Sequence, residues 1–249
     1  MTNDLPPEIA AAAERMEAPA AATEAMPADV TGELRILLAW WHSMAGGSEP
    51  HVAIVDAAGG PWLDAGDAMV AGLQAADSAV DSGANLLVPR VTARDDIAAR
   101  TIIAVLTRSD AQALVPQPEG MTDADWIAKV TSIRDDANRV TSHRGELVAL
   151  LDSAKALPIA FVVGVLMCAA ARRTPCLIDG TDELAAAVVA DRITLSAKSW
   201  WRCGSQSDDP ARRAAVERTD LARGLPLALT DDDGLGSEAT LALLRLLTR

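Results

Sequence analysis

From residue 52 onward, short apolar runs alternate with longer segments whose apolar residues recur at helical spacing. The predicted strands are residues 52–55, 85–88, 111–115, 176–178, 193–195 and 227–229. The predicted helices are residues 65–81, 95–108, 122–140, 142–153, 158–173, 182–191, 210–223 and 235–247, with Thr122 as the N-cap of the third. Strands and helices that alternate in this way form a mostly parallel sheet with right-handed crossovers. The pattern therefore predicts an α/β fold with three αβα layers, a mostly parallel Rossmann-like sheet and a small helical lobe.

Residues 1–29 differ in composition from the rest of the chain. They are rich in Ala, Pro and Glu, and prolines at 6, 7, 19 and 27 interrupt any helix. We expect residues 1–29 to be a disordered tail with at most one short helix, followed by a single α/β domain over residues 30–249. The first helix of that domain is predicted from the spacing of Leu34, Leu37, Leu38 and Trp41, and it ends at the glycine pair 46–47.

The chain is strongly acidic, with a formal net charge of -13. A surface of this sign repels phosphate backbones and anionic lipids, so we expect no nucleic acid partner and no membrane partner. Cysteines 168, 176 and 203 lack the spacing of a zinc site, and we expect reduced core thiols, no metal and no cofactor. Acidic residues near the N-terminus, and the lack of an apolar stretch of about 18 residues, favour a cytoplasmic protein.

Three segments carry a resemblance to a known family. Residues 82–88 read SGANLLV, residues 123–129 and 133–135 read DADWIAK and IRD, and residues 169–180 read AAARRTPCLIDG. They resemble the "aGADLLi", "DDAGWxRKxxxxRD" and "AAxRRxPxLLDG" segments of nicotinate-nucleotide:dimethylbenzimidazole phosphoribosyltransferases. The resemblance runs from about residue 52 to the end and implies the fold of that family. The family's leading portion has no equivalent before residue 52, so a smaller sheet is expected.

The loops that surround the nucleotide in the family have changed here. The glycine-rich "GEMGIGNTT" loop is replaced by residues 89–96, PRVTARDD, which contain no glycine and so cannot readily bring the backbone close to a phosphate. The "GTGxDD" and "GHRSxEPGH" loops correspond to residues 118–123, PEGMTD, and 204–212, GSQSDDPAR. In the last of these, Asp208 or Asp209 is expected to cap the following helix. The resemblance implies seven ligand-binding positions: Thr92, Arg94, Gly120, Asp123, Ser207, Gly234 and Gly236. An exposed or salt-bridged arginine is the alternative interpretation of Arg94.

The prediction about catalysis depends on the residue that lies at the position of the family's general base. In the family, the glutamate of "GEGTGAA" is understood to take a proton from the benzimidazole nitrogen, and residues 234–239 place Leu235 there. A leucine cannot accept a proton, so no catalytic residue is assigned. Glu238 is an alternative base, although a first-turn acidic residue is also favoured by the helix dipole. Asp231, Asp232 and Asp233 are interpreted as an exposed loop rather than as metal ligands.

Three hypotheses follow for function. The first is a degenerate homologue that binds a nucleotide or an azole base, or that pairs as a homodimer or as a heteromer with a full-length, active paralogue. The second is an active phosphoribosyltransferase that joins nicotinate mononucleotide and an azole base through a relocated carboxylate such as Glu238. The third is a purely structural α/β domain.

Overall fold

A computed structural model describes residues 4–19, 31–92, 96–227 and 234–248. The strands are β1 (Val52–Asp56), β2 (Leu86–Arg90), β3 (Cys176–Ile178) and β4 (Trp201–Cys203). The helices are α1 (Pro7–Glu14), α2 (Gly32–Ala45), α3 (Ala65–Asp81), α4 (Asp96–Thr107), α5 (Asp123–Val140), α6 (Leu147–Ser153), α7 (Leu157–Ala171), α8 (Thr181–Ile193), α9 (Pro210–Thr219) and α10 (Leu235–Leu247). Short 3-10 helices span Ala111–Leu114, Thr141–His143 and Ala197–Trp200.

The four strands form one parallel sheet in the order β1-β2-β3-β4. Beyond β4, single bridges join Arg202 to Ala222 and Ser205 to Leu225 in the parallel sense. Each strand is followed by at least one helix before the next strand begins, as parallel pairing requires. The predicted α/β class and parallel sheet are confirmed.

Successive side chains of each strand point to opposite faces of the sheet, and an apolar layer lies on each face. Leu87 and Cys176 point to one face, where they pack with α3, α4, α7 and α8 in a large core. Leu86, Val88 and Leu177 point to the other face, where α2 and α10 cover them. The side chains from those two helices are Leu37, Trp40, Trp41, Leu241 and Leu244. The sheet is therefore the middle of three layers, with a thick helical layer on one side and two helices on the other.

Helices α3 and α7 approach so closely that glycine is required on both. A Cβ atom on Gly72 would lie 1.9 Å from the backbone oxygen of Phe161, and one on Gly164 would lie 1.9 Å from that of Met69. Helix α7 is buried around most of its circumference, which explains why it lacks a polar face. Its small residues let the backbones meet, and this contact forms the centre of the larger core.

Two predicted strands are wrong. Ala111–Leu114 form a 3-10 helix instead, because the carboxylate of Asp110 accepts a hydrogen bond from the amide of Gln112 at 2.9 Å and starts a turn. Residues 193–195 are not a strand either, since Ile193 ends α8 and Leu195 is 66% exposed. The strand at this point is β4, whose central Arg202 breaks the apolar pattern that identified the other strands.

Near the C-terminus, the observed bounds of two elements differ from the predicted ones. Helix α9 ends at Thr219, four residues before the predicted end at 223, because Asp220 adopts the left-handed φ of 52°. The strand predicted at 227–229 is not observed at Leu227; instead, Ala222 bridges to Arg202 of β4 and Leu225 bridges to Ser205, which follows β4. Residues 228 and 229 lie outside the described residues.

Residues 4–19, the described part of the predicted tail, contain one short helix, α1. Ile9 and Ala12 of α1 are fully buried against the core, and the carboxylate of Asp4 accepts a hydrogen bond from the amide of Val148 at 2.7 Å. The indole nitrogen of Trp200 donates to the backbone oxygen of Glu17 at 2.8 Å. The division into a tail and a single domain otherwise stays a prediction, and residues 20–29 lie outside the described residues.

None of the helices that the structure describes combines the length and the apolar character needed to cross a bilayer. The cytoplasmic location stays a prediction.

A buried ion pair joins α4 to the loop that precedes α9. The guanidinium of Arg100 donates to both carboxylate oxygens of Asp209, at 3.1 and 2.7 Å, and to Asp96 at 2.7 Å. It also donates to the backbone oxygen of Leu114. Asp209 in turn accepts from the amides of Ala211 and Arg212 and is the N-cap of α9, which confirms the capping prediction.

The contact between α3 and α7 predicts the effect of adding one methyl group. Gly164→Ala is expected to lower the free energy of unfolding by on the order of 2 kcal/mol through overpacking. Alanine normally stabilises a helix interior by about 1 kcal/mol relative to glycine. A lower free energy of unfolding in the variant must therefore come from the steric clash. Urea unfolding measures this change. Gly145→Ala is the control, since its Cβ would meet no atom within 4 Å, and an equal effect in both variants would contradict the packing explanation.

The Arg100 and Asp209 pair predicts a pH dependence of stability. Burial alone would raise the pKa of Asp209, but hydrogen bonds and charge from Arg100, together with two amides, lower it below its ordinary value. Its stabilising contribution is therefore complete above the unfolded pKa of about 3.9 and is lost as the pH falls through the lower folded pKa. Asp209→Asn should cost about 2 kcal/mol at pH 7, and the difference from wild type should shrink in acid. A difference independent of pH in urea unfolding would contradict this assignment.

Candidate ligand-binding site

The carboxyl ends of β1 and β2 meet the first turn of α10. The hydroxyl of Thr92 donates to the Asp56 carboxylate at 2.5 Å, which joins the segment after β2 to the end of β1. Nη2 of Arg90, the last residue of β2, lies 3.3 Å from Oε1 of Glu238. Gly234 precedes α10 with a φ of 81°, and a Cβ atom there would lie 3.4 Å from Nη2 of Arg90. Thr92, Gly234 and Glu238 are thus brought into one region.

Leu235 is the first residue of α10 and is 43% exposed. Glu238 lies in the same first turn, and its side chain is 57% exposed. Its carboxylate is paired with Arg90, so the acidic residue of this first turn already has a cationic partner. Helix α10 therefore begins with an apolar side chain, and the carboxylate of Glu238 in its first turn is ion-paired with Arg90.

The carboxylate of Asp179 connects the ends of the other strands. It follows β3, and its Oδ1 accepts from Ser205 at 3.2 Å and from the guanidinium of Arg212 at 2.6 Å. Oδ2 accepts from the amide of Ser237 at 3.0 Å. Both charged side chains are only 4% exposed. One buried carboxylate thereby joins the loop after β4, helix α9 and the start of α10.

Gly236 belongs to this buried connection. A Cβ atom at Gly236 would lie 2.4 Å from Oγ of Ser205 and 2.7 Å from Oδ2 of Asp179. Glycine at 236 is therefore required for the close approach of α10 to the loop after β4. Its predicted ligand-binding role stays a prediction, and the packing reason is sufficient to explain the residue.

A cavity of about 360 Å³ lies at the carboxyl end of β4, between α9 and the segment that follows it. Its polar lining comes from Ser205, Gln206, Ser207, Arg212, Arg213 and Arg223, together with the carboxylates of Asp208 and Glu217. Arg213 and Arg223 are exposed, whereas Arg212 is buried against Asp179. The volume is near the lower end for small-molecule sites, which span about 300 to 1,000 Å³. The cavity therefore suits a small polar ligand.

One thiol, that of Cys203, lies on the lining of this cavity. Burial raises the pKa of Cys203, which lines the cavity, to about 12. The thiol is therefore protonated at neutral pH and is a poor nucleophile. Among the residues that the structure describes, no group of three or more His, Cys, Asp or Glu side chains is placed to hold a metal ion.

The remaining predicted site residues are dispersed. Ser207 lines the cavity, and its hydroxyl accepts from the amide of Asp209 at 3.1 Å. Gly120 lies in an exposed turn with a φ of 89°, and Asp123 accepts from the side chain of Gln117 at 2.8 Å in the first turn of α5. Neither lines the cavity. Arg94 and the run Asp231 to Asp233 lie outside the described residues.

Sequence reasoning missed the residues that contribute most of the charge here. Asp179 was recognised only as part of the segment 169–180 that resembles the family, and Arg213 and Arg223 carried no motif. The sole available signal was the position of these residues in segments that follow strands of a parallel sheet, where ligands bind. Their convergence depends on the packing of α9 against the loop after β4.

The comparisons with known proteins agree on one relationship. A family model described as a phosphoribosyltransferase, DBI_PRT, matches residues 63–248. The nicotinate-nucleotide–dimethylbenzimidazole phosphoribosyltransferase of Mycobacterium leprae strain Br4923 is 35% identical over 179 residues, which cover 72% of this chain and 51% of the relative. The protein of the same name from Mycobacterium tuberculosis strain ATCC 25618 / H37Rv is 35% identical over 179 residues, 72% of this chain and 50% of the relative. The match thus spans about half the length of these relatives.

A solved structure supports the fold. CobT from Thermus thermophilus superposes with a TM-score of 0.72 at 19% identity, over 98% of this chain and 96% of that chain. The superposition extends further than the sequence match, and at this identity it establishes the fold alone. The sequence match and the family model establish the relationship. The chain belongs to the DBI_PRT family of phosphoribosyltransferases, which confirms the resemblance identified from its sequence.

Proposed function

We propose that this chain is a catalytically degenerate member of its family, which binds a nucleotide or an azole base and does not transfer a ribose phosphate. The names of its relatives state that they act on nicotinate nucleotide and dimethylbenzimidazole. Transfer to the azole requires a group within hydrogen-bond reach that accepts the proton of the ring nitrogen. The observation that carries the proposal is the exposed Leu235 at the start of α10, where the resemblance implies a glutamate.

Charged groups at the carboxyl end of the sheet also favour binding over transfer. The pairs Arg90 with Glu238, Arg100 with Asp209 and Arg212 with Asp179 each join two segments of this chain. These side chains hold the loops in place, so they are engaged before any ligand arrives. Such internal pairing favours a stable binding surface rather than a site with an available base.

The cavity beside β4 supplies the group that would recognise a nucleotide. Arg213 and Arg223 are exposed on its lining, and guanidinium groups bind phosphate through paired hydrogen bonds. Ser207 and Gln206 add polar groups on the same lining. The carboxylates of Asp208 and Glu217 on the same lining repel an anion, so we expect its affinity to be moderate.

The second candidate function is an active phosphoribosyltransferase with Glu238 as its base. The exposure of Glu238 and its place in the first turn of α10 favour this alternative. Arg90 would have to release the carboxylate before it could accept a proton, since Nη2 of Arg90 lies 3.3 Å away.

Pairing with a second chain is a further part of the proposal, either as a homodimer or as a heteromer with a full-length paralogue. In the described chain β1 is an edge strand that pairs only with β2. Its central Ile54 is 52% exposed and points to the same face as Val88, its register partner. Ile36 of α2, the helix that covers this face, is 53% exposed. Apolar surface on an edge strand favours contact with another chain.

Nicotinate mononucleotide is expected to bind without being consumed. With dimethylbenzimidazole present, the purified chain should form no ribazole phosphate even at high protein concentration, because Leu235 cannot accept the proton. The nucleotide alone should raise the melting temperature by binding the folded state. Arg223→Gln should abolish the rise. Arg245→Gln is the matched control, since Arg245 is an exposed arginine in the last turn of α10, away from the cavity lining.

Product formation that disappears in Glu238→Gln would establish the second candidate and remove the first. The absence of any change in melting temperature would contradict the binding role of the cavity.

Ile54→Arg is expected to convert an assembly of this chain into monomers, because a charge on the edge strand disfavours apolar contact. Size-exclusion chromatography with light scattering measures the mass. Ile127→Arg on α5 is the control, since Ile127 is similarly exposed, at 56%. The proposal of pairing fails if the wild-type chain remains monomeric both alone and when mixed with the full-length paralogue.

A further inference from the structure

A second cavity lies at the opposite end of the sheet from the candidate site. Helix α4 begins after the carboxyl end of β2, so its last turn is near the amino ends of the strands. A cavity of about 290 Å³ lies between this last turn and α5. Three of its lining residues are the arginines Arg108, Arg134 and Arg144, and one, Asp110, is acidic. This surface carries a local excess of positive charge in a chain whose net charge is -13.

Arg144 is held in place by the backbone of α4. Its Nε and Nη2 donate to the carbonyl oxygen of Val105 at 2.9 and 2.7 Å. Burial and the neighbouring charges of Arg108 and Arg192 lower the pKa of Arg144. The charged neighbours that act on this guanidinium are therefore cations, which repel it.

The other two arginines have little internal compensation. Within the described part of the chain, Arg108 forms no ion pair, and it is exposed. Arg134 pairs with the adjacent Asp135 at 2.9 Å, but both side chains are more than half exposed, so this pair contributes little. The carboxylate of Asp110 accepts from the amide of Gln112 at 2.9 Å. The three positive charges on this lining are thus only partly compensated by carboxylates.

We propose that this cavity binds a small oxyanion of the phosphate class. Guanidinium groups match the geometry of phosphate oxygens and donate paired hydrogen bonds to them. A divalent or more highly charged anion would offset the repulsion among the three arginines, and a monovalent anion would do so less completely. Asn138 and Thr141 on the same lining offer further hydrogen-bond donors. The cavity volume suits inorganic phosphate, pyrophosphate or the phosphate of a small ester.

This site is distinct from the cavity beside β4. The two share no lining residue. The inference therefore stands whether or not the nucleotide-binding role proposed above is correct.

Titration of the full chain with sodium pyrophosphate tests the proposal, by calorimetry and by thermal unfolding at constant ionic strength. The wild type is expected to bind and to show a higher melting temperature. Arg108→Asn and Arg134→Gln should each weaken binding on the order of tenfold, as for the loss of one charge-assisted hydrogen bond. Both positions are exposed, and asparagine tolerates the left-handed φ of 63° at Arg108, so both variants should fold.

Arg245→Gln is the matched control, because it removes one exposed positive charge that lies on neither cavity lining. Arg223→Gln reports separately on binding at the cavity beside β4. Unchanged binding in Arg245→Gln, with weakened binding in the Arg108 and Arg134 variants, supports the site. Binding weakened only in Arg223→Gln, equal loss in Arg245→Gln and in the Arg108 and Arg134 variants, or no binding by the wild type would each overturn it. Parallel titrations with inorganic phosphate and ribose 5-phosphate distinguish the free ion from a phosphate ester.

Discussion

Asp179 lies almost fully buried at the carboxyl end of β3, where its carboxylate accepts hydrogen bonds from three separate parts of the chain. An isolated carboxylate in this position would be strongly destabilising, so the guanidinium of Arg212, the hydroxyl of Ser205 and the amide of Ser237 are needed together. They fix the loop after β4, helix α9 and the first turn of α10 relative to the sheet. The positions of Leu235, Glu238 and the cavity beside β4 all depend on this arrangement.

At the carboxyl end of the sheet the fold of the family is kept, and side-chain ion pairs join the segments that surround this end. In a parallel sheet this end presents loops and helix starts to a ligand, and glycine allows backbone amides to approach a phosphate. Here side-chain ion pairs occupy that end, and the glycine at 236 serves the approach of α10 to Ser205. Charge used to join segments of the chain is not available for proton transfer. The proposed loss of catalysis and the joining of these segments therefore have one physical origin.

The success of the sequence predictions depended on the length and regularity of each element. The residues of β3, α3 and α10 were predicted with the observed bounds, because apolar runs or amphipathic spacing with clear end signals identify such elements. Strand β4 was missed because it has three residues and a central arginine. The structure brings Thr92, Gly234 and Glu238 into one region, and their roles stay predictions. No sequence pattern indicated the arginines of the two cavities, because their proximity depends on how α5 and α9 pack.

The sequence by itself determined the α/β class, the parallel sheet, the family and the leucine at the position of the expected base. These are properties of local pattern and of residue identity, which need no knowledge of long-range contacts. The tertiary structure decided that Glu238 pairs with Arg90, that Asp179 is buried with Arg212, and that positive charge gathers at the amino end of the sheet. Each of these joins residues far apart in the chain, and such distances are set by close packing between helices and the sheet.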